Sequence, residues 1–587
     1  MRMMKAWMRG LLLAATTLLP LGAADYVVDP QRGSDSGDGS AAAPWQSFEP
    51  LNARALTAGD CVTVHPGRLS STLAPRACGS AEQPVRIRFL PGRYDWEPAG
   101  LLRRKLAISN TNDCPEEPKA IAMELAGVRH LRVEGKQAHF FCRGKMVQIH
   151  LEEAADVCLS GFSFDYARPT VSEYRVTELG EHHALCRVHP DSAYRLEGGR
   201  LIWVGEGWEL PSDDCWAQVV RDVNTARRGA PLLGQQRLRE LEPGLLRAEF
   251  ERNPGLELGC GYQERSQRRD GCGVFCERSE RIRLVDVAMN FMHGMGIVCQ
   301  FSQDLRFSCL RVVPSRGRTA AAWADILHCS GCMGQLVVEE CLLSAANDDA
   351  INVHGTHLRL SALHPDRCGG TLRFCHPQTF GFAAFREGDA VQFTDGETLL
   401  PLGETTVRRA ELSADGRSME LRWDTPAPET CRCGRDVLEN LSATPALTVR
   451  HCMVRGITTR GFLVTTRRPV RIIGNCFVST GMPALLIEND ANYWFESGPV
   501  QDMEIRGNRF IRCAEPVICF NPQVLRHAGA VHRNIRIEDN DFELLRGCAL
   551  GLRATEAVSF LGNRCRAPEP AQAPLIRCDH SPQPTTD

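Results

Sequence analysis

VRIIGNCFV at residues 470–478, MEIRGNRFI at 503–511, IRIEDNDFE at 535–543 and VSFLGNRCR at 558–566 are four copies of one pattern. Each has alternating apolar positions, a Gly or Asp, an Asn, and a second short apolar run. Related copies begin at Val157, Ile282, Leu305, Leu336 and Leu447. Successive starts fall roughly 23 residues apart, or roughly 31 to 33 where a loop has grown, which is the period of a stacked solenoid. One such unit cannot bury its apolar face alone. Stacking coil on coil at about 4.8 Å buries it, so the sequence predicts an all-β chain, a right-handed parallel β-helix. Asn475, Asn508, Asn540 and Asn563 share one offset. Asparagine tolerates the left-handed backbone and bonds its own main chain, so these residues are expected to shape the bends.

The interruptions of this pattern set the domain plan. Residues 25–167 form an N-terminal β-helix part and 168–281 an inserted β module containing Trp203, Trp208 and Trp216. Residues 282–355 are the coils that carry the chemistry. A second insertion, 356–445, has alternating strands such as SMELRWD punctuated by Gly and Asp turns, and 446–566 completes the solenoid. Both insertions are read as antiparallel, barrel-like modules. The proline-rich tail, 567–587, is expected to be disordered.

Composition narrows the function classes. With 43% hydrophobic and 24% charged residues the chain is no disordered polymer, and its 51 glycines have no collagen period. A net charge of -3 leaves no basic footprint for nucleic acid. Arg2, Lys5 and Arg9, an apolar run from Leu11 to Leu21, and Ala23–Ala24 read as a secretory signal over 1–24 cleaved near Ala24. The expected location is periplasmic or secreted, without membrane insertion. Of the 26 cysteines, many lie within strand patterns, as Cys309, Cys341 and Cys476 do, where a thiol serves as a small hydrophobe. Cys329 and Cys332 have CxxC spacing, but no second knuckle accompanies them, so no metal is assigned.

Chemistry concentrates in AAWADILHCSGCMGQLVVEECLLSAANDDAINVHGTH, residues 321–357. Asp325 precedes Asp348 by about one coil, so stacking brings it beside the Asp348–Asp349 pair. Crowding raises the pKa of at least one carboxyl group, and a protonated acid beside ionised partners suits glycosidic bond cleavage. Neighbours on a regular strand point to opposite faces, so both members of the pair serve one site only at a bend; Asn347 and Gly355 support one. His328, Asn352 and His354 complete the cluster.

These segments, with GMGIVCQ at 294–300, LVTTRRPV at 463–470 and ENDANYWFESG at 488–498, resemble family 110 glycoside hydrolases, the exo-acting α-1,3-galactosidases. The resemblance implies an inverting mechanism on a β-helix with barrel insertions, without metal or other cofactor, and terminal α-1,3-linked galactose as substrate, as in blood group B or linear α-galactosyl glycans. It implies Asp348 as general acid and Asp325 with Asp349 as base, the acid about 6.5–9.5 Å from the base carboxylates. Trp494 offers a platform for the sugar, Tyr493 a second aromatic ring, and Glu496 or Arg467 hydrogen bonds to its hydroxyls. His328 and His354 either bond sugar or cap turns, and Asn347 and Asn352 are grouped with them as substrate-binding.

A polygalacturonase-like hydrolase also places an early Asp one coil before an Asp pair, but here the early Asp lies in WAD and no Arg-Ile-Lys element follows. A pectate lyase needs a calcium site. A noncatalytic carbohydrate-binding β-helix is the remaining alternative. The inserted modules offer surfaces for a homodimer.

Overall fold

A computed structural model describes residues 23–587, so the expected signal segment lies outside the described residues except for Ala23 and Ala24. Each coil contributes three strands. One coil supplies Glu280–Val285, Ala288–Met289 and Ile297–Gln300; the next supplies Gln303–Ser308, Arg311–Val312 and Leu327–Ser330. Like strands pair in parallel, and the sequence periods become registers: Ile282 opposite Leu305, Leu305 opposite Leu336, Leu336 opposite Leu447, Leu447 opposite Val470, Val470 opposite Met503. The fold is a parallel β-helix with one continuous apolar core inside the coils. Because each coil repeats the same offset, like side chains stack. Phe477, Phe510 and Phe542 form a column with ring centroids 5.1 and 4.9 Å apart.

The four asparagines act differently from the sequence expectation. The left-handed residue is the one before each: Gly474 (φ 66°), Gly507 (φ 65°), Asp539 (φ 56°) and Gly562 (φ 62°). The Asn side chains point inward and form a ladder. Asn508 Oδ1 accepts from the Asn475 main-chain N–H at 2.9 Å and its Nδ2 at 3.0 Å, while Asn508 Nδ2 donates to the Ile472 carbonyl at 2.8 Å and to Asn540 Oδ1 at 3.0 Å. Every polar group freed by the bend is satisfied inside an apolar core. Cysteine continues the ladder: the Cys452 N–H donates to Asn475 Oδ1 at 2.9 Å, and the Cys341 N–H to Cys452 Sγ at 3.4 Å. Among the described residues 14 of the 26 cysteines are buried and all are thiols, as packing by small apolar groups requires.

The first insertion is not a barrel. It is an open seven-stranded antiparallel sheet whose edge strand is Thr225–Arg228, followed inward by Cys215–Asp222 and Gly261–Ser266, with a three-stranded sheet beside it. Parallel pairing resumes at Val274–Glu277, inside the range read as insertion. The second insertion does close. Strand Ile351–Leu363 begins as a coil strand and continues without a break into a six-stranded barrel with Gly369–Arg373, Ser418–Trp423, Pro401–Leu412, Ala390–Thr394 and Val437–Asn440. The boundary placed at 355/356 thus falls within one strand. The tail is not disordered either: Ile576–Asp579 pairs with Leu550–Arg553, and Thr585–Thr586 with Thr555–Leu561. Proline content was the misleading signal, since the prolines lie between these strands.

Asn508→Ala removes one rung and leaves buried donors of Asn475 and the carbonyl of Ile472 unpaired. A loss of ~1–3 kcal/mol is expected in denaturant unfolding, with fluorescence and circular dichroism compared because long solenoids unfold by segments.

Candidate active site

The site grows out of a single bend repeated on successive coils. Ile297, Leu327, Ile351, Phe462 and Leu485 stand in register on one face of the helix. Two residues before each, the column reads Met295, Asp325, Asp349, Arg460, Pro483, and all five line one cleft. Asp325 is therefore the register partner of Asp349, whose N–H donates to Asp325 Oδ1 at 3.1 Å, and not of Asp348. Asn347 and Asp348 occupy the bend, which turns the Asp348 carboxylate into the same cleft. Oxygens of the three carboxylates lie within 4.8 Å of one another.

The cleft measures about 600 Å³. The first inserted module supplies one wall through Trp216, Arg228 and Arg269; the 488–496 segment supplies the other through Tyr493, Trp494 and Glu496. Behind the first wall the buried Arg265 guanidinium is held between two indoles, 4.1 Å from the Trp323 ring and 5.1 Å from that of Trp216. Opposite, the Asp490 carboxylate gathers the N–H groups of Tyr493 and Trp494, and the Trp494 ring stacks on His376 at 4.5 Å.

Buried carboxylates need compensation, and arginines provide it. Arg460 grips Asp349 with Nε at 2.8 Å and Nη2 at 2.6 Å, and the Thr459 hydroxyl donates to Asp349 at 2.7 Å. Asp348 pairs with Arg228 at 3.0 Å and Arg269 at 2.9 Å. Burial alone would raise Asp348, but Arg228, Arg269 and Arg460 hold its carboxyl well below the usual carboxylate range. Burial pushes Asp349 up to about 6, against the pull of Arg460 and with help from the charges of Asp348 and Asp325. A cation bound by the trio would have to displace these guanidinium groups from the same oxygens. Behind Asp325, His328 Nδ1 faces its Oδ2 at 2.9 Å, and His328 Nε2 lies 3.0 Å from His354 Nε2. The Gly355 carbonyl can only accept, so it fixes the His354 proton on Nδ1, at 2.6 Å. Burial lowers the His354 pKa and keeps the ring neutral. Its Nε2 must then accept from His328, whose other ring nitrogen abuts Asp325 Oδ2 and limits how that carboxyl group can turn.

Residues 371–438, most of the barrel, match the family described as GLAA-B beta-barrel domain II. The alpha-1,3-galactosidase A of Akkermansia muciniphila is 40% identical over 535 residues, covering 90% of this chain and 89% of that protein. The alpha-1,3-galactosidase A of Bacteroides thetaiotaomicron is 34% identical, covering 82% and 85%, and that of Streptomyces avermitilis 31% identical, covering 86% and 87%. The chain belongs to the alpha-1,3-galactosidase A family.

In this member of the galactosidase family the structure brings Asp325, Asp348, Asp349, Asn352, Trp494 and Glu496 to the cleft. Asn352 keeps a buried Oδ1 without a partner. Glu496 accepts from Asn110 Nδ2 at 2.8 Å. Three expectations are corrected. His328 and His354 are fully buried behind Asp325 and do not line the cleft. Arg467 points away, binding Glu439 at 2.6 Å and Gln392 at 2.8 Å, and so ties the barrel to its coil. Asn347 contributes its carbonyl, which accepts from Arg228 at 3.1 Å, and not its side chain. Sequence reading missed Asn110, Trp216, Arg228, Arg269, Arg460 and Glu488. Of these, Arg460 carried a signal: it follows Asp349 by 111 residues, the step that separates Leu336 from its register partner Leu447.

Arg460→Met strands the Asp349 carboxylate without its bidentate partner. A destabilisation of ~3–5 kcal/mol is expected in denaturant unfolding, with loss of activity; an unchanged midpoint would show that the pair is not compensating a buried charge.

Proposed function

We propose that the protein is an exo-acting, inverting α-1,3-galactosidase that releases terminal galactose from α-1,3-linked galactosides such as blood group B or linear α-galactosyl glycans. The observation that carries this reading is the trio of carboxylates, drawn from two coils into one cleft, in a chain of the alpha-1,3-galactosidase A family. Export to the periplasm or the medium would place the enzyme where such glycans are met.

In this mechanism Asp348 gives its proton to the leaving glycosidic oxygen while Asp349, with Asp325, takes one from the attacking water; the anomeric C–O bond breaks and a new C–OH bond forms on the opposite face. Asp349, pushed up to about 6, is ionised at neutral pH yet basic enough to accept that proton. The His328–His354 pair holds Asp325 in place without reaching the sugar. Trp494 offers its exposed ring to the apolar face of galactose, and Glu496 and Asn352 accept from its hydroxyls. The lining carries Asp325, Asp348, Asp349, Glu488, Asp490 and Glu496 against Arg228, Arg269 and Arg460, a balance that favours a neutral sugar over a polyanionic galacturonide.

Two features of the free site must change when substrate binds. One oxygen of each carboxylate lies within 4.8 Å of the others, whereas carboxyl groups roughly 6.5–9.5 Å apart leave room for water between acid and base. Asp348 is also held ionised by its arginines.

Hydrolysis of α-1,3-galactobiose, followed by galactose release, tests the reading. Asp348→Asn is expected to lower kcat at least ~100-fold on this substrate and much less on an aryl α-galactoside, whose leaving group needs no proton. Equal losses on both substrates would remove Asp348 from the acid role. On the aryl substrate, which needs no acid, kcat/KM of the wild type is expected to rise with pH through about 6, as Asp349 loses its proton.

A further inference from the structure

An acid that donates a proton must first hold one, and the surroundings of Asp348 are arranged against it. Four guanidinium groups face this carboxylate: Arg228 and Arg265 from strands of the first inserted module, Arg269 just after them, and Arg460 from the next coil at 3.8 Å. The acids beside it are Asp349, its neighbour in the chain, and Asp325 of the preceding coil.

The four arginines differ in how firmly they are held. Arg460 is committed to Asp349 through two nitrogens. Arg265 is buried between Trp216 and Trp323. Arg269 is pinned at its main-chain N–H by Asp113 at 2.6 Å, donates to the Asn110 carbonyl at 3.3 Å, and is 11% exposed. Arg228 is the loose one. Its side chain is 45% exposed, and among the described residues its only polar contacts are Asp348 and the Asn347 carbonyl. It is the last residue of the module's edge strand, followed by Gly229 at φ 77°, around which there is open space.

We propose that Arg228 is a positioning residue that controls the proton on Asp348: its guanidinium holds the carboxylate ionised until the leaving sugar enters, and then gives way. This inference rests on the acid role assigned to Asp348. The sugar entering beside Trp216 takes the place of the exposed guanidinium, while Arg269 and Arg460 stay where their other bonds hold them. With the cation 3.0 Å from Oδ1 gone, Asp348 takes up a proton from solvent, and that proton passes to the glycosidic oxygen as the C–O bond breaks. The insertion thereby couples occupation of the leaving-group side to the readiness of the acid, so that water alone in the cleft meets an unprotonated Asp348.

The test compares the full-length wild type with Arg228→Gln and Arg228→Lys across pH, on α-1,3-galactobiose and on an aryl α-galactoside. Asp348 in the free enzyme loses its proton below the pH at which Asp349 does, so removing the charge, which raises the Asp348 pKa by about one unit, is expected to raise kcat/KM for galactobiose about tenfold at and above neutral pH. The Lys variant, which restores the charge, should stay within about twofold of wild type, and kcat/KM on the aryl substrate should not change in either variant. A lowered kcat/KM for galactobiose, through a raised KM, would make Arg228 a substrate contact only and overturn the proposal. So would a Gln variant indistinguishable from wild type. Failure of the wild type to cleave galactobiose at all would instead sink the functional reading, and the proposal with it.

Discussion

The structure depends on coil-to-coil register. A parallel β-helix repeats its backbone at about 4.8 Å, so whatever stands at one offset on one coil is pressed against the same offset on the next. In the interior this rule favours identical apolar groups, and the column of Phe477, Phe510 and Phe542 follows from it. At the bend before the third strand of each coil the same rule forces charges together. Asp325, Asp349 and Arg460 lie far apart in the chain yet stack as neighbours, and the ion pair of Asp349 with Arg460 is what makes a carboxylate tolerable there.

The insertions are the parts that turn a charged bend into a site. The barrel grows directly out of strand Ile351–Leu363, and Arg467 bonded to Glu439 and Gln392 fixes it to its coil. The open sheet of the first module brings Trp216, Arg228 and Arg269 over Asp348 from the other side. The coils thus supply the reacting carboxylates at fixed spacing, while elements free of the repeat supply the charges and rings that tune them. Function depends on both, because three unpaired carboxylates so close together would not stay buried.

The same division explains what was legible in the sequence. The repeat, the two interruptions and the aspartate trio could be read because periodicity speaks directly about parallel stacking. Arg460 was within reach of that logic, had the 111-residue step been carried past the insertion. Arg228 and Arg269 were not, since antiparallel strands of a nonrepeating module give no register against the solenoid. Polar residues within the repeat are less legible for a local reason: Asn tolerates the left-handed position, yet Gly or Asp takes it and Asn fills the interior with hydrogen bonds. For Arg467, and for the two histidines that either bond sugar or cap turns, residue type and position do not decide, because burial behind the first layer of side chains is not visible in a pattern of residue types.

The central claim is that these three carboxylates cleave an α-galactoside with inversion, although one oxygen of each stands within 4.8 Å of the others. The most direct measurement follows α-1,3-galactobiose by NMR during the first minutes of hydrolysis, before the released sugar mutarotates. The account predicts β-galactose as the first anomer formed. α-Galactose as the first product would contradict it, and would mean that one of the three aspartates attacks the sugar and forms a covalent intermediate.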